Sequence, residues 1–178
     1  MNKKEAIDLI ARYLALILLA IPNLFLFYAI FTPLTVYPVY FVLKYFYNAV
    51  LLQGNVIFFK GYYANIISAC VAGAAYYLLL ILNLTTPMSA VKRIKSITFI
   101  ILSFLIINIA RIIIFASLFS IGYRYFDLTH ILTWYIGSTF LVIIIWFSNV
   151  LIFKITSIPI YSDIKRIFQD IKTLKRKA

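Results

Sequence analysis

The sequence is poor in charge and in the residues that build most enzyme sites. Only 12% of its 178 residues are charged, five residues are acidic, and there is one cysteine and one histidine. A disulfide within the chain is therefore excluded, and a zinc site would lack ligands. With 65% hydrophobic residues, the chain has the composition of a membrane protein.

The charge that is present is mostly positive, with a formal net charge of +12. The basic residues lie between and beyond the apolar runs, as expected for residues that hold loops in the cytoplasm. This distribution does not favour nucleic acid as a partner. The composition also gives no indication of a cofactor.

Four apolar runs are near the ~20 residues that cross a bilayer. The segment around Lys44 is also apolar but holds two prolines, and we expect a partial or interfacial helix there. The stretch "GNVIFFKGYYANII" has two β-prone pieces separated by Lys60 and Gly61, which is typical of a hairpin. The sequence predicts an all-α polytopic membrane protein with about four transmembrane helices, one partial helix and a short outer hairpin-like segment. The predicted spans are 7–31, 66–84, 97–119 and 128–153.

The chain is predicted to form one membrane-embedded domain, 1–157, followed by a tail, 158–178. Apolar residues recur at helical spacing in this tail, with basic residues between them. A basic amphipathic helix of this kind binds an anionic membrane surface, so we expect the tail to lie on the cytoplasmic face. The apolar positions are Ile164, Ile167, Phe168, Ile171 and Leu174.

The distribution of basic residues predicts the topology. If the N-terminus is cytoplasmic and the Lys44 segment returns to the side it came from, 13 of the 17 basic residues lie inside. Three of these are near the N-terminus, three lie at 92–95 and seven follow from 154 onward. We therefore expect a multi-pass protein of the cell membrane with both termini in the cytoplasm.

Three chemically distinctive residues then fall at a similar depth. Arg111 lies within "NIARIIIFASLF", where a charge costs roughly 3 kcal/mol or more, which favours a functional role. Cys70 lies near the outward end of the preceding run, and His130 opens the last run. A thiol nucleophile, an imidazole acid/base and a guanidinium that stabilises an oxyanion suit acyl transfer through a thioester in the outer leaflet.

Each residue also has a simpler interpretation. Cys70 would be a small packing residue, and His130 an interfacial one. A non-enzymatic assembly or transport protein would use Arg111 to bind an anionic lipid headgroup, or to pair with Asp127. A hydrolase with the same three residues would release its product to water. A metalloprotease is excluded because the ligands are missing.

The motifs "SACVAG", "NIAR" and the histidine that opens the last span resemble the Cys, Asn-x-x-Arg and His motifs of the exosortase/archaeosortase family, and most closely its small archaeal members. The resemblance covers roughly residues 50–150. It implies that Cys70 is the nucleophile, Arg111 the residue that steadies the oxyanion, and His130 the acid/base. Asn108 matches the asparagine one turn before the arginine, where its amide would orient the guanidinium.

The resemblance also implies a role for the residues after the cysteine and a class of substrate. The family often has Ser or Thr and then Gly there, whereas this chain has valine and alanine before Gly73. Small residues at this place let a substrate backbone or a neighbouring helix come close. Members of the family cleave surface-protein precursors near a C-terminal motif, membrane helix and basic tail. They then pass the acyl end to a membrane acceptor, a lipid in the archaeal case.

The topology can be tested at the loop "GYRYFDLTH". A cysteine introduced as Arg124→Cys, in a chain that also carries Cys70→Ala, should react with a membrane-impermeant thiol reagent in intact cells. The charge distribution places this loop outside, where the reagent has access. Labelling that occurs only after the membrane is ruptured would overturn the predicted orientation.

Overall fold

The computed structural model describes residues 3–21 and 23–175, which fold mostly into helices. The elements in chain order are α1 Lys3–Ala20, α2 Phe25–Tyr47, β1 Val50–Leu51, β2 Val56–Phe59, β3 Tyr62–Asn65, α3 Ser68–Val71, α4 Gly73–Leu84, α5 Ala90–Ser120, α6 Phe126–Leu132, a π-helical turn Thr133–Gly137, α7 Ser138–Ile152 and α8 Tyr161–Lys175. Helices α5 and α7 pack against α4, and α2 packs against α5. A small antiparallel sheet lies between α2 and α3 in the chain.

Three helices among the described residues are long and apolar enough to cross a membrane: Phe25–Tyr47, Ala90–Ser120 and Phe126–Ile152. The run Ser68–Leu84 is apolar but shorter. The second of the three contains the predicted span 97–119, and the third covers the predicted span 128–153 except for its last residue. The coarse prediction of a mostly helical protein with helices long and apolar enough to span a membrane is confirmed.

The first predicted span is wrong. Helix α1 ends at Ala20, and Asn23 and Leu24 adopt the left-handed conformation, with φ of 49° and 59°. Helix α2 then begins at Phe25 and includes the whole segment around Lys44, which was expected to form a separate partial helix. Two consecutive left-handed residues cannot continue an α-helix, so the break falls inside the span 7–31.

Two prolines lie inside α2 and do not end it. Pro33 and Pro38 each remove a backbone donor, a change that usually kinks or ends a helix in water. Helix α2 packs against α3, α4 and α5, and Phe31 stacks on Tyr76 of α4 with ring centroids 3.7 Å apart. Packing against neighbouring helices is what makes prolines tolerable in membrane helices.

Together α1 and α2 connect the two ends of the helix bundle. Arg12 of α1 donates a hydrogen bond of 2.8 Å to the carbonyl of Leu84, where α4 ends. The hydroxyl of Tyr47 donates to Ser117 near the far end of α5, at 3.3 Å. We call the end at Leu84 the tail end, because α8 packs there, and the end at Tyr47 the sheet end.

The tail end is held by buried polar groups. Asn83 donates to Ser96 at 2.6 Å, and Ser96 donates to Asn149 at 2.8 Å, which joins α4, α5 and α7. Arg12 forms an ion pair of 3.2 Å with Asp163 of α8, and both side chains are buried. The predicted tail therefore contains a helix, α8, that this ion pair joins to the bundle.

Helix α8 has the expected amphipathic character where its side chains are described. Ile164, Ile167 and Phe168 are exposed. The side chains of Ile171 and Leu174, which complete the predicted apolar face, lie outside the described residues, as do Arg176 and Lys177.

The predicted hairpin is confirmed. Strands β2 and β3 pair in an antiparallel register from Phe59 opposite Tyr62 to Val56 opposite Asn65. The turn residues Lys60 and Gly61 have φ of 48° and 81°, as a two-residue type I′ turn requires. A third strand, β1, was not predicted and pairs with the other side of β2, so β3 is an edge strand.

Candidate active site

A cavity of about 540 Å³ opens at the sheet end, between the sheet, α3, α5 and α6. Cys70, Arg111 and His130 all line this cavity. The three residues come from three different helices. Cys70 and Arg111 are 41 positions apart along the chain, and Arg111 and His130 are 19 apart, so the fold brings them to one place. The remainder of the lining is largely apolar and rich in aromatic side chains.

Cys70 belongs to a single helical turn. Helix α3 ends when Ala72 adopts the left-handed conformation with φ of 59°, and α4 begins at the next residue. The predicted continuous run 66–84 is therefore wrong at this point. A left-handed alanine costs about 1–2 kcal/mol, and such strain is common beside functional groups. The break separates the half-buried Cys70 from the long helix that follows.

Gly73 follows the break and permits close packing. A Cβ atom at this position would lie 2.8 Å from the ring of Tyr28, so no larger residue fits unless that ring moves. Small residues here were expected to let a substrate backbone or a neighbouring helix come close. In the structure it is helix α2, through Tyr28, that lies against Gly73. Gly73 is buried and does not line the cavity.

Asn108 fixes the position of the cysteine turn. Its amide donates 2.9 Å to the carbonyl of Cys70 and 3.5 Å to that of Val71, and the side chain is fully buried. These carbonyls end a helix and would otherwise lack a donor. The resemblance implied that Asn108 orients Arg111, but its amide instead holds the backbone of Cys70.

Ser138 holds Arg111 in place of an acidic partner. The Nη1 atom of Arg111 donates to the Ser138 hydroxyl at 2.6 Å. Ser138 begins α7 directly after the π-helical turn, a feature that is frequent at functional sites. The alternative pairing of Arg111 with Asp127 is absent from the described part of the chain, and Asp127 is exposed.

His130 is held between aromatic rings. It stacks on Phe126 with centroids 5.5 Å apart and an interplanar angle of 7°, and it meets the edge of Phe115 at 5.2 Å. No hydrogen bond to the imidazole occurs among residues 3–21 and 23–175. Both ring nitrogens are thus available to a thiol, a leaving group or an acceptor that enters the cavity.

The cavity lining contains one thiol, one imidazole and one guanidinium, and no carboxylate. Within the described residues, no group of three or more histidine, cysteine, aspartate or glutamate side chains could hold a metal ion. The arrangement suits the attack of a thiol on a carbonyl and the stabilisation of the oxyanion that forms.

Sequence reasoning missed Ser138. The only signal was indirect: a cation inside a membrane segment needs a polar partner on a facing helix, and Ser138 is one of a few hydroxyl residues there. No family model, curated protein or solved structure matches the chain. The assignment of function therefore depends on the residues of this cavity and on the motif resemblance.

Proposed function

We propose that the protein is a membrane cysteine transpeptidase, similar to archaeosortases. It cleaves surface-protein precursors near a C-terminal motif, membrane helix and basic tail, and transfers them to a membrane acceptor, a lipid. The observation that carries this proposal is the convergence of Cys70, Arg111 and His130 on one apolar cavity. They include the only cysteine and the only histidine of the chain.

The first half of the reaction forms a thioester. His130 takes the proton of the Cys70 thiol, and the sulfur attacks the carbonyl carbon of the scissile peptide bond. The carbonyl oxygen becomes an oxyanion beside the guanidinium of Arg111. When the tetrahedral intermediate collapses, the C–N bond breaks and His130 returns its proton to the leaving amine. The precursor is then an acyl group on sulfur.

The second half transfers the acyl group. A hydroxyl or amine of the acceptor loses its proton to His130 and attacks the thioester carbon. The oxyanion forms again beside Arg111, the C–S bond breaks, and the thiolate of Cys70 recovers the proton from His130. Because the cavity is apolar, it favours a membrane-embedded acceptor over water.

The membrane explains why the substrate needs no soluble binding cleft. A precursor with its own membrane helix reaches the cavity by lateral diffusion, and so does a lipid acceptor. In this proposal the protein is a multi-pass protein of the cell membrane whose cavity faces the outer leaflet. The low dielectric there strengthens the attraction between Arg111 and an oxyanion, which offsets the cost of placing the arginine in the membrane.

Replacement of the nucleophile tests the proposal. Cys70→Ala and Cys70→Ser should abolish the removal of the C-terminal helix from a co-expressed precursor, because no thioester can form. Both variants should reach the membrane at the wild-type level, and a thiol-directed inhibitor should stop the wild-type enzyme. Processing by Cys70→Ala at a substantial rate would refute covalent catalysis and would favour a non-enzymatic role.

Replacement of Arg111 separates geometry from charge. Arg111→Lys should lose on the order of 10²-fold or more in rate, since a flexible ammonium lacks the planar fork of donors. Substrate binding should change much less, because the interaction forms mainly in the transition state. Initial rates and KM for precursor cleavage measure both effects.

The hydroxyl that holds Arg111 provides a matched pair of variants. Ser138→Ala removes the partner of Nη1 and should lower the rate in the same direction, with little change in KM. Thr139→Ala removes a hydroxyl from the next residue, which bonds only to the carbonyl of Tyr135 in its own helix, and should be neutral. A nearly active Arg111→Lys enzyme would show that the arginine is only a structural or lipid-binding charge.

A further inference from the structure

The outer edge of strand β3 has no partner. The two-residue turn is closed by the hydrogen-bonded pair Phe59–Tyr62, and the next hydrogen-bonded pair is Ile57–Ala64. Two residues further on, the amide of Ile66 donates to the carbonyl of Asn55, which continues this alternation of hydrogen-bonded pairs. In an antiparallel pair, every second residue directs its backbone N–H and C=O toward the neighbouring strand. The intervening residues, Tyr63 and Asn65, therefore direct theirs away from β2.

Nothing in the described part of the chain pairs with these groups. The sheet order is β1-β2-β3, and the backbone of Tyr63 and Asn65 has no hydrogen bond beyond β2 among residues 3–21 and 23–175. An unpaired strand edge is a template for another extended chain. Unpaired backbone groups beside apolar surface are costly, so a partner at this edge gains stability.

This edge is a wall of the catalytic cavity. Five consecutive residues, 63–67, line it, and Cys70 lines it three residues further on. A strand that turned one face to the cavity would contribute alternate residues. A run of consecutive residues shows that β3 and the segment after it present their backbone edge.

We propose that β3 binds the precursor as an added strand. An extended peptide forms backbone hydrogen bonds to Tyr63 and Asn65, and this pairing delivers its scissile carbonyl to Cys70. The inference rests on the proposed function and adds the conformation of the substrate, which is extended at the cleavage point. Backbone pairing supplies affinity with little dependence on sequence, and alternate side chains enter the cavity.

The charge of the site narrows the class of peptide. Arg111 carries a positive charge in the cavity wall, and no carboxylate lines the cavity. A second positive charge, Lys60, lies in the turn between β2 and β3. A basic residue in the bound peptide would be repelled and would have no acidic partner. The bound segment is therefore neutral or acidic, with small or apolar residues facing the aromatic lining.

The test uses the full-length protein in detergent and three electrophiles that alkylate Cys70. The first two are iodoacetamide and acetyl-tetraalanyl chloromethyl ketone. The third is the same peptide with alternate amides N-methylated, which is prepared in two forms, one for each register. The modification rate of Cys70 is followed by mass spectrometry. The loss of two ordinary hydrogen bonds should slow the peptide about tenfold in one register, while the other register has a smaller effect.

Variants of Tyr63 in strand β3 provide a second test of the proposal. Tyr63→Pro removes an outward N–H without touching the β2–β3 bonds, and proline is tolerated on strand edges. It should slow labelling by the unmethylated peptide about as much as N-methylation does, whereas Tyr63→Ala, which keeps the backbone, should slow it much less. Iodoacetamide should label all three proteins at the same rate.

The outcomes separate this inference from the proposed function. Equal labelling by the peptide and by both N-methylated forms would overturn the added strand, whatever Cys70→Ala does to processing. Register-dependent labelling together with normal processing by Cys70→Ala would retain the peptide site and refute the thioester mechanism. If Tyr63→Pro does not fold, the N-methylated peptides alone decide.

Discussion

The hydrogen bond from Asn108 to the carbonyl of Cys70 joins the two helices on which the candidate site depends. Helix α3 is too short to satisfy its own carbonyls, and Asn108 is one turn from Arg111 on α5. The bond therefore sets the height of the thiol relative to the guanidinium. The side chain of Asn108 is fully buried, where an unpaired amide donor would cost about 1–3 kcal/mol. Cys70 and Arg111 are thus positioned as one unit.

The break at Ala72 makes this arrangement possible. Had α3 continued into α4, the carbonyl of Cys70 would have accepted a hydrogen bond from its own helix and would not have depended on Asn108 for a donor. The left-handed residue is Ala72, and the next residue is Gly73, whose missing Cβ leaves room for the ring of Tyr28. Packing of α2 and the geometry of the Cys70 turn therefore meet at two adjacent positions.

Local signals in the sequence were sufficient for part of the structure. The hairpin followed from two β-prone segments around Lys60 and Gly61, because a two-residue turn is determined by its own residues. Distances along the apolar runs predicted a similar depth for Cys70, Arg111 and His130, and in the structure all three line one cavity. Their catalytic roles stay predictions.

The remaining features depend on contacts between distant segments. The first span was misplaced because the continuity of α2 through its prolines depends on packing against α3, α4 and α5. The role of Asn108 was misassigned because the break has no local signal: the left-handed residue is Ala72, and alanine is the strongest helix former. Ser138 meets Arg111 directly after a π-helical turn, which changes the register of the last span.

The most direct measurement of the central claim is the mass of the Cys70 peptide after the enzyme is mixed with a precursor and quenched in acid. The account predicts an acyl adduct on Cys70 that hydroxylamine removes, whereas active processing without any such adduct would contradict it.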